Sequence, residues 1–245
     1  MITSFDNKKI AAVKRLNDKK YRREEEKYLV EGEKLLDDAL RFGKKVAAIL
    51  VTEGKEEKYQ SFPNVITVSQ SVMKSISKTA CDQGVLGVLE IEQNNNDVFD
   101  GNCLILERIQ DPLNLGAILR SAAGAGYKEV FLADCADVYS QKVVRGAMSA
   151  HFMLNFYFLS IEEALAKLSK THAMLCADMK GDNIFEFAAP YPHALVIGSE
   201  GQGLSSYAKK ACKQKLSIPM GEGLESLNAA VSASIIMYQL TRGKR

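Results

Sequence analysis

The 245-residue sequence has no tryptophan, few prolines and only three histidines. His151, His172 and His193 are too far apart in the chain to share a metal ion by any familiar ligand spacing, so no metal is expected. The five cysteines (Cys81, Cys103, Cys135, Cys176 and Cys212) are odd in number, scattered, and never paired as C-x-x-C. That excludes a disulfide framework or zinc ribbon and suits free thiols in a cytoplasmic setting. Long hydrophobic runs are also missing. The longest uncharged apolar stretch, 226–240, is too short to span a bilayer and contains Ser, Asn and Gln, so no membrane partner is expected. The first twenty residues lack the apolar centre of a signal peptide. Charge of one sign is scarce too. A net charge of +2 does not by itself announce nucleic acid.

What is present is an ordinary globular composition, 47% hydrophobic and 25% charged, in a chain long enough for one large domain or two small ones. The few excess positive charges are concentrated at the N-terminus. Lys8, Lys9, Lys14, Arg15, Lys19, Lys20, Arg22 and Arg23 stand against only Asp6 and Asp18. Such an arm either binds phosphate or is a solvated helix face. Lys142 and Arg145, three residues apart beside Ser140 and Ser149, are a second basic pair open to the same two readings.

The hydrophobic pattern predicts helices over 5–42. It then predicts strands at 45–51, 65–69 and 85–91 with a helix at 71–77, forming a small α/β unit over 1–95. The polar, Asn-rich segment 92–102 reads as a linker. A second α/β unit, 101–245, follows. Strands are predicted at 103–109, 129–134, 156–159 and 172–178, separated by helices at 114–126, 140–151 and 161–170. Continuous apolar strands with helices between them predict a buried, mostly parallel sheet.

Three stretches of the second unit carry candidate chemistry. In the first, a strand ends at Asp111-Pro112 and Asn114-x-Gly116-x-x-x-Arg120 enters a helix, with Asn114 a natural N-cap. Arg120 sits in an otherwise apolar Ala/Gly helix and needs either an anionic partner or a wet cleft. The second is Gly198-Ser199-Glu200-Gly201-Gln202-Gly203, a Gly-rich strand-to-helix turn. It is not a P-loop, because Leu204 stands where Lys is required, and it lacks the third glycine of a dinucleotide fingerprint. Glu200 there either accepts a ribose hydroxyl or holds a loop. The third runs from Ile218-Pro219-Met220 through Glu225-Ser226-Leu227-Asn228 into a helix of small residues, with Ser226 or Asn228 as its cap. Two Gly-rich turns close together suggest one ligand site built largely from backbone.

In this order and at these separations, the three motifs resemble those of the SpoU (TrmH) branch of SPOUT RNA methyltransferases. The resemblance covers about residues 100–245. Asn17, Arg22-Arg23 and Tyr28-Leu-Val-Glu31-Gly32 more loosely resemble the small substrate-binding domain that precedes the catalytic domain in many members. The resemblance implies 2′-O-methylation of a ribose in RNA, with S-adenosylmethionine as donor. It further implies an α/β/α catalytic domain with a C-terminal trefoil knot, and a homodimer. It places Gly198, Glu200, Gly201, Ile218, Met220, Ser226 and Leu227 at the cofactor. It assigns catalysis to Arg120, Asn114, Glu200 and Asn228. RNA contact is expected from Lys14, Arg15, Arg22, Arg23, Lys142 and Arg145. Ser199 and Arg145-Gly146-Ala147 depart mildly from the family pattern. Ribosomal RNA is the expected substrate. Transfer RNA and a non-catalytic RNA-binding protein of the same fold are the alternatives. Arg120 is a poor general base unless its pKa is strongly perturbed, so the preferred role, with that of base as the alternative, is to stabilise the developing alkoxide or to orient the target phosphate.

Overall fold

The computed structural model describes residues 1–79, 82–223 and 226–243. Cys81, and Glu225 of the third motif, lie outside the described residues. The chain begins with α1 (Lys8–Arg15), α2 (Lys19–Glu25), β1 (Lys27–Glu31), α3 (Glu33–Arg41), β2 (Val46–Thr52), β3 (Val65–Val68), α4 (Gln70–Ile76) and β4 (Val85–Glu90). It continues through β5 (Cys103–Glu107), α5 (Pro112–Gly124), β6 (Glu129–Ala133), α6 (Gln141–Ala147), β7 (Asn155–Phe158) and α7 (Ile161–Leu168). It ends with β8 (Ala173–Asn183), β9 (His193–Ile197), α8 (Ser206–Ala211), β10 (Gln214–Ser217) and α9 (Ala229–Leu240). These elements form two compact units. One is Met1–Gln93 with Asp137–Phe152, and the other is Asn94–Ala136 with Met153–Arg245. The α6 segment therefore groups with the N-terminal elements and not with its neighbours in the chain.

The first unit is built on a four-stranded sheet of order β1-β4-β2-β3, parallel only between β2 and β3. Sequence periodicity predicted helix throughout 5–42, but Lys27–Glu31 is a strand. Two features explain the difference. Glu26 adopts a left-handed backbone (φ 49°) that ends α2. Tyr28, Leu29 and Val30 are then consecutively buried, a run with no helical stripe that fits a strand covered on both faces. Ile10, Val13 and Leu16 do form the apolar face expected of α1, packing with Leu50, Val72 and Leu86.

Charged groups inside this unit are paired. Arg22 is only 6% exposed. Its Nε and Nη2 donate to Asp137 Oδ2 (2.8 and 2.5 Å), and its Nη1 donates to the Leu16 carbonyl (2.7 Å). Glu31, also buried, accepts from the Ser77 and Thr79 hydroxyls, the Lys78 amide and Arg145 Nη1. His151 lies among Tyr28, Tyr139 and Phe152, and burial pushes its pKa down to about 4.

The second unit carries a six-stranded sheet of order β10-β8-β9-β5-β6-β7, with every pair parallel. Its strands are buried from end to end at β5 and β9, as their unbroken apolar sequences predict. Ser160 and Glu163 close the expected capping box on α7. The chain lays β5, β6 and β7 outward in one direction, then returns to place β9 and β8 on the other side of β5. Strand order thus reverses at the β5–β9 pair, and the crevice at the carboxyl ends of such strands is where open parallel sheets bind ligands.

Candidate active site

Strand β8, the loops that leave β9 and β10 at their carboxyl ends, and the start of α9 meet around a cavity of about 610 Å³. Gly198, Glu200, Gly201, Ile218, Met220, Ser226 and Leu227 all line it. The seven residues come from two loops, so the two Gly-rich turns of the sequence are walls of one pocket. Gly198 is required for that shape. A Cβ there would sit 2.6 Å from the Gly203 carbonyl carbon and 2.7 Å from Leu204 N, both main-chain atoms. The turn between them is closed by Gly203 N donating to the Ser199 carbonyl (2.9 Å), with Gly203 itself at φ 61°.

Three motifs are tied together at the edge of this cavity. Glu200 Oε1 accepts from Asn114 Nδ2 (3.1 Å), Asn228 Nδ2 (2.5 Å) and the Ala229 amide (2.8 Å). Asn228 Nδ2 also donates to Asn114 Oδ1 (2.9 Å), while Asn228 Oδ1 accepts from Ala230 N and Val231 N. Glu200 therefore places a negative charge at the positive end of the twelve-residue α9 and orients two side-chain amides at once. Asn228 is the cap of α9, one of the two candidates from sequence. Asn114 is not the cap of α5. Asp111 takes that role, its side chain accepting from Leu113 N with Pro112 in the first turn, and this leaves the Asn114 amide available to Glu200.

Arg120 lies further along α5, exposed, and lines neither this cavity nor the one beside it. On the same helix Leu113 is 66% exposed, and on α9, which packs on α5 through Ser121–Ser234, Val231 and Tyr238 are 47% and 45% exposed.

Of the residues expected to contact RNA, Lys14, Arg15, Arg23 and Lys142 are exposed, and Arg145 is half-buried and paired with Glu31 at 3.3 Å. Arg22 is the exception. Its guanidinium is consumed by Asp137 and Leu16 inside the fold, so it is not available to a phosphate. Adjacent Arg22 and Arg23 look alike in sequence, and only the turn of α2 separates the buried one from the exposed one.

The structure also brings in residues that the sequence did not single out. Asp178 and Lys209 line the cavity and face each other at 3.6 Å. The Lys180 amide, with Lys209 behind it, holds the Asp178 carboxyl below the usual carboxylate range. Lys209 is the one cation lining this cavity among the described residues. Arg108 and Asp134, each just past a strand in the left-handed region (φ 56° and 51°), line a second cavity that adjoins the first. A bulky residue with positive φ is the structural mark of both sites, and nothing in a single sequence announces it. Among the described residues no group of three or more His, Cys, Asp or Glu side chains is placed to hold a metal ion, and no helix is long and apolar enough to cross a membrane.

Known proteins resemble this chain over nearly its whole length. Residues 101–238 match the model of the SpoU rRNA methylase family, and residues 7–87 match that of the MRM3-like substrate binding domain. An uncharacterised tRNA/rRNA methyltransferase of Synechocystis sp. is 31% identical, with 98% of this chain and 93% of that protein aligned. The 23S rRNA (guanosine(2553)-2'-O)-methyltransferase RlmP of Bacillus subtilis is 28% identical over 98% of both chains. The structure of the SpoU methyltransferase AviRb from Streptomyces viridochromogenes, in complex with AdoMet, superposes with a TM-score of 0.88 at 25% identity, covering 97% of this chain and 98% of that one. Three ordered motifs lie around one cavity in a parallel sheet, and a family model spans the whole of that sheet. The chain belongs to the SpoU rRNA methylase family.

Proposed function

We propose that this protein is an S-adenosylmethionine-dependent methyltransferase acting on the 2′-hydroxyl of a ribose in ribosomal RNA. The observation that carries the reading is the Asn114–Glu200–Asn228 clasp, which joins all three motifs at the mouth of a cavity. A protein that only bound RNA would have no need of the clasp and the cavity together.

The cavity fits the cofactor. Its lining is mainly apolar (Ile197, Leu216, Ile218, Leu227, Ile236), as a purine requires, and at Gly201 nothing lies within 4 Å of the Cβ position, which leaves main chain open to a ligand there. Gly198, Gly201, Ile218, Met220, Ser226 and Leu227 would hold it. When bound, the cofactor supplies an electrophilic methyl group on a sulfonium. The protein supplies alignment and electrostatics. Glu200 and Asn228 fix Asn114, whose second amide N–H is left to orient the attacking hydroxyl. The guanidinium of Arg120 stabilises the developing alkoxide charge while the hydroxyl proton passes to solvent water.

Arg120 faces solvent in its own chain, and Leu113, Val231 and Tyr238 leave an apolar strip on α5 and α9. We therefore assign a homodimer that covers this strip and brings Arg120 of one copy to the site of the other. The N-terminal unit captures RNA through Lys14, Arg15, Arg23 and Lys142. We place the protein in the cytoplasm with its ribosomal substrate, and we expect the family's trefoil knot. Mapping 2′-O-methyl groups in RNA from cells with and without the gene tests the activity. Loss of one ribosomal methyl group is expected. Loss confined to transfer RNA, or no loss, would refute the reading.

A further inference from the structure

The second cavity, about 380 Å³, is lined by Arg108, Gln110, Asp111, Asn114, Asp134 and the turn Ser199–Gln202. It shares Ser199, Glu200, Gly201, Gln202 and Ala229 with the cofactor cavity, so the Asn114–Glu200 contact lies on their common wall. A ribose hydroxyl presented to the first cavity from its neighbour would come through a space that opens onto that wall. The second cavity is such a space, and it lies within the size range of ligand pockets.

Its lining is chemically selective. Asp111, Asp134 and Glu200 are carboxylates, opposed by Arg108 alone. Arg108 is already held by Gln202 Oε1 (2.9 Å) and the Gly203 carbonyl (3.2 Å), with Glu107 4.0 Å away. A phosphate placed here meets like charge, whereas a base edge carrying N–H donors is attracted. Two of the three carboxylates have partners: Asp111 caps α5, and Glu200 holds the clasp. The Asp134 carboxylate accepts no hydrogen bond among the described residues and is exposed to the cavity mouth. The backbone that presents it is fixed, because Gln110 Nε2 donates to the Asp134 carbonyl at 2.5 Å.

A carboxylate has two acceptor oxygens side by side. Among the four RNA bases, guanine alone presents two adjacent N–H donors on its Watson–Crick edge, N1–H and N2–H, and an unstacked base can be read on that edge. Resting on the methyl-transfer reading above, we propose that the second cavity receives the target nucleotide and that Asp134 selects guanine within it.

The test has two stages. Methyl mapping with and without the gene first identifies the modified nucleotide, and a guanosine is expected. A uridine, cytidine or adenosine at that place overturns the proposal while leaving methyl transfer intact. Loss of no methyl group from any RNA overturns methyl transfer itself, and this inference with it. The second stage uses an RNA fragment bearing guanosine or inosine at the mapped position, with wild-type protein and Asp134→Asn. Asparagine tolerates the left-handed backbone at this site, so the variant is expected to fold. Wild type should methylate the inosine RNA at least about fivefold more slowly, the lower end for one base-edge pair. Asp134→Asn should slow guanosine methylation by a similar factor, abolish the guanosine–inosine difference, and bind S-adenosylhomocysteine as before. A variant that still discriminates, or that methylates guanosine at the wild-type rate, overturns the assignment.

Discussion

Gly198 and Gly201 stand three residues apart in one turn, and the structure assigns them opposite sensitivities. A methyl group on Gly198 would lie 2.6–2.7 Å from the main chain of Gly203 and Leu204, well inside van der Waals contact. None of these atoms belongs to a flexible side chain, so the turn itself must move. Overpacking of that kind costs about 1–3 kcal/mol. For a unit of this size the melting temperature should fall by roughly 2–12 °C. The displaced wall is also the one proposed to hold the cofactor. If the strain is relieved by moving it, affinity should fall by a similar free energy, about five- to 150-fold. Around Gly201 a new Cβ meets nothing within 4 Å, and its backbone is not in the left-handed region. Gly201→Ala should therefore melt with wild type and lose cofactor affinity only, because the ligand approaches main chain there. Thermal unfolding and calorimetric titration with S-adenosylhomocysteine on both variants provide the comparison. A Gly198→Ala protein with unchanged melting and binding would refute the steric reasoning. Equal destabilisation of the two would refute the distinction between them.

Other substitutions probe the remaining assignments. Arg120→Ala should abolish methyl transfer yet bind S-adenosylmethionine normally, since the side chain lines neither cavity; near-wild-type turnover would remove it from the mechanism. Charge reversal at Lys14, Arg15, Arg23 and Lys142 should weaken RNA binding and flatten its salt dependence by about 0.7–0.9 in log–log slope for each phosphate no longer neutralised, as measured by titration at several salt concentrations. Arg22→Ala should behave differently, destabilising the protein by up to about 3 kcal/mol in denaturant unfolding because it leaves the part-buried Asp137 without its cation, with no direct effect on that slope. Burial holds the His151 pKa at about 4, against about 6.5 in an unfolded chain. Above the higher value both states are neutral. Between the two, only the unfolded chain takes the proton, so stability should fall as pH drops from about 6.5 to about 4, by on the order of 2–3 kcal/mol. His151→Phe should flatten that part of the stability profile.

Most of the second unit could be read from the sequence because its signals are local. Strands β5 and β9 are unbroken apolar runs, α7 carries its capping box, and the Gly-rich turns mark strand ends. The helix-only reading of 5–42 failed at Tyr28-Leu-Val because a short run buried on both faces has no period to detect. Asn114 was placed at the helix cap because Asn favours that position, but Asp111 with Pro112 takes it. The Arg22 error has the same origin as these. Whether a charged side chain faces water or a carboxylate 115 residues away is not written in its neighbours.

The sequence by itself therefore determined most of the elements, the order of the three motifs and, through them, the family and its chemistry. These follow from residue type and spacing over a few turns of chain. Tertiary structure alone decided which glycine has no room for a methyl group, which arginine is buried, and that Asn114, Glu200 and Asn228 close on one another. It alone placed Asp134 beside the cofactor wall. The clasp depends on atoms from α5, β9 and α9 that lie 28 to 114 residues apart, and the buried arginine on a carboxylate 115 residues away. Such proximity depends on where the chain returns, which residue spacing does not specify.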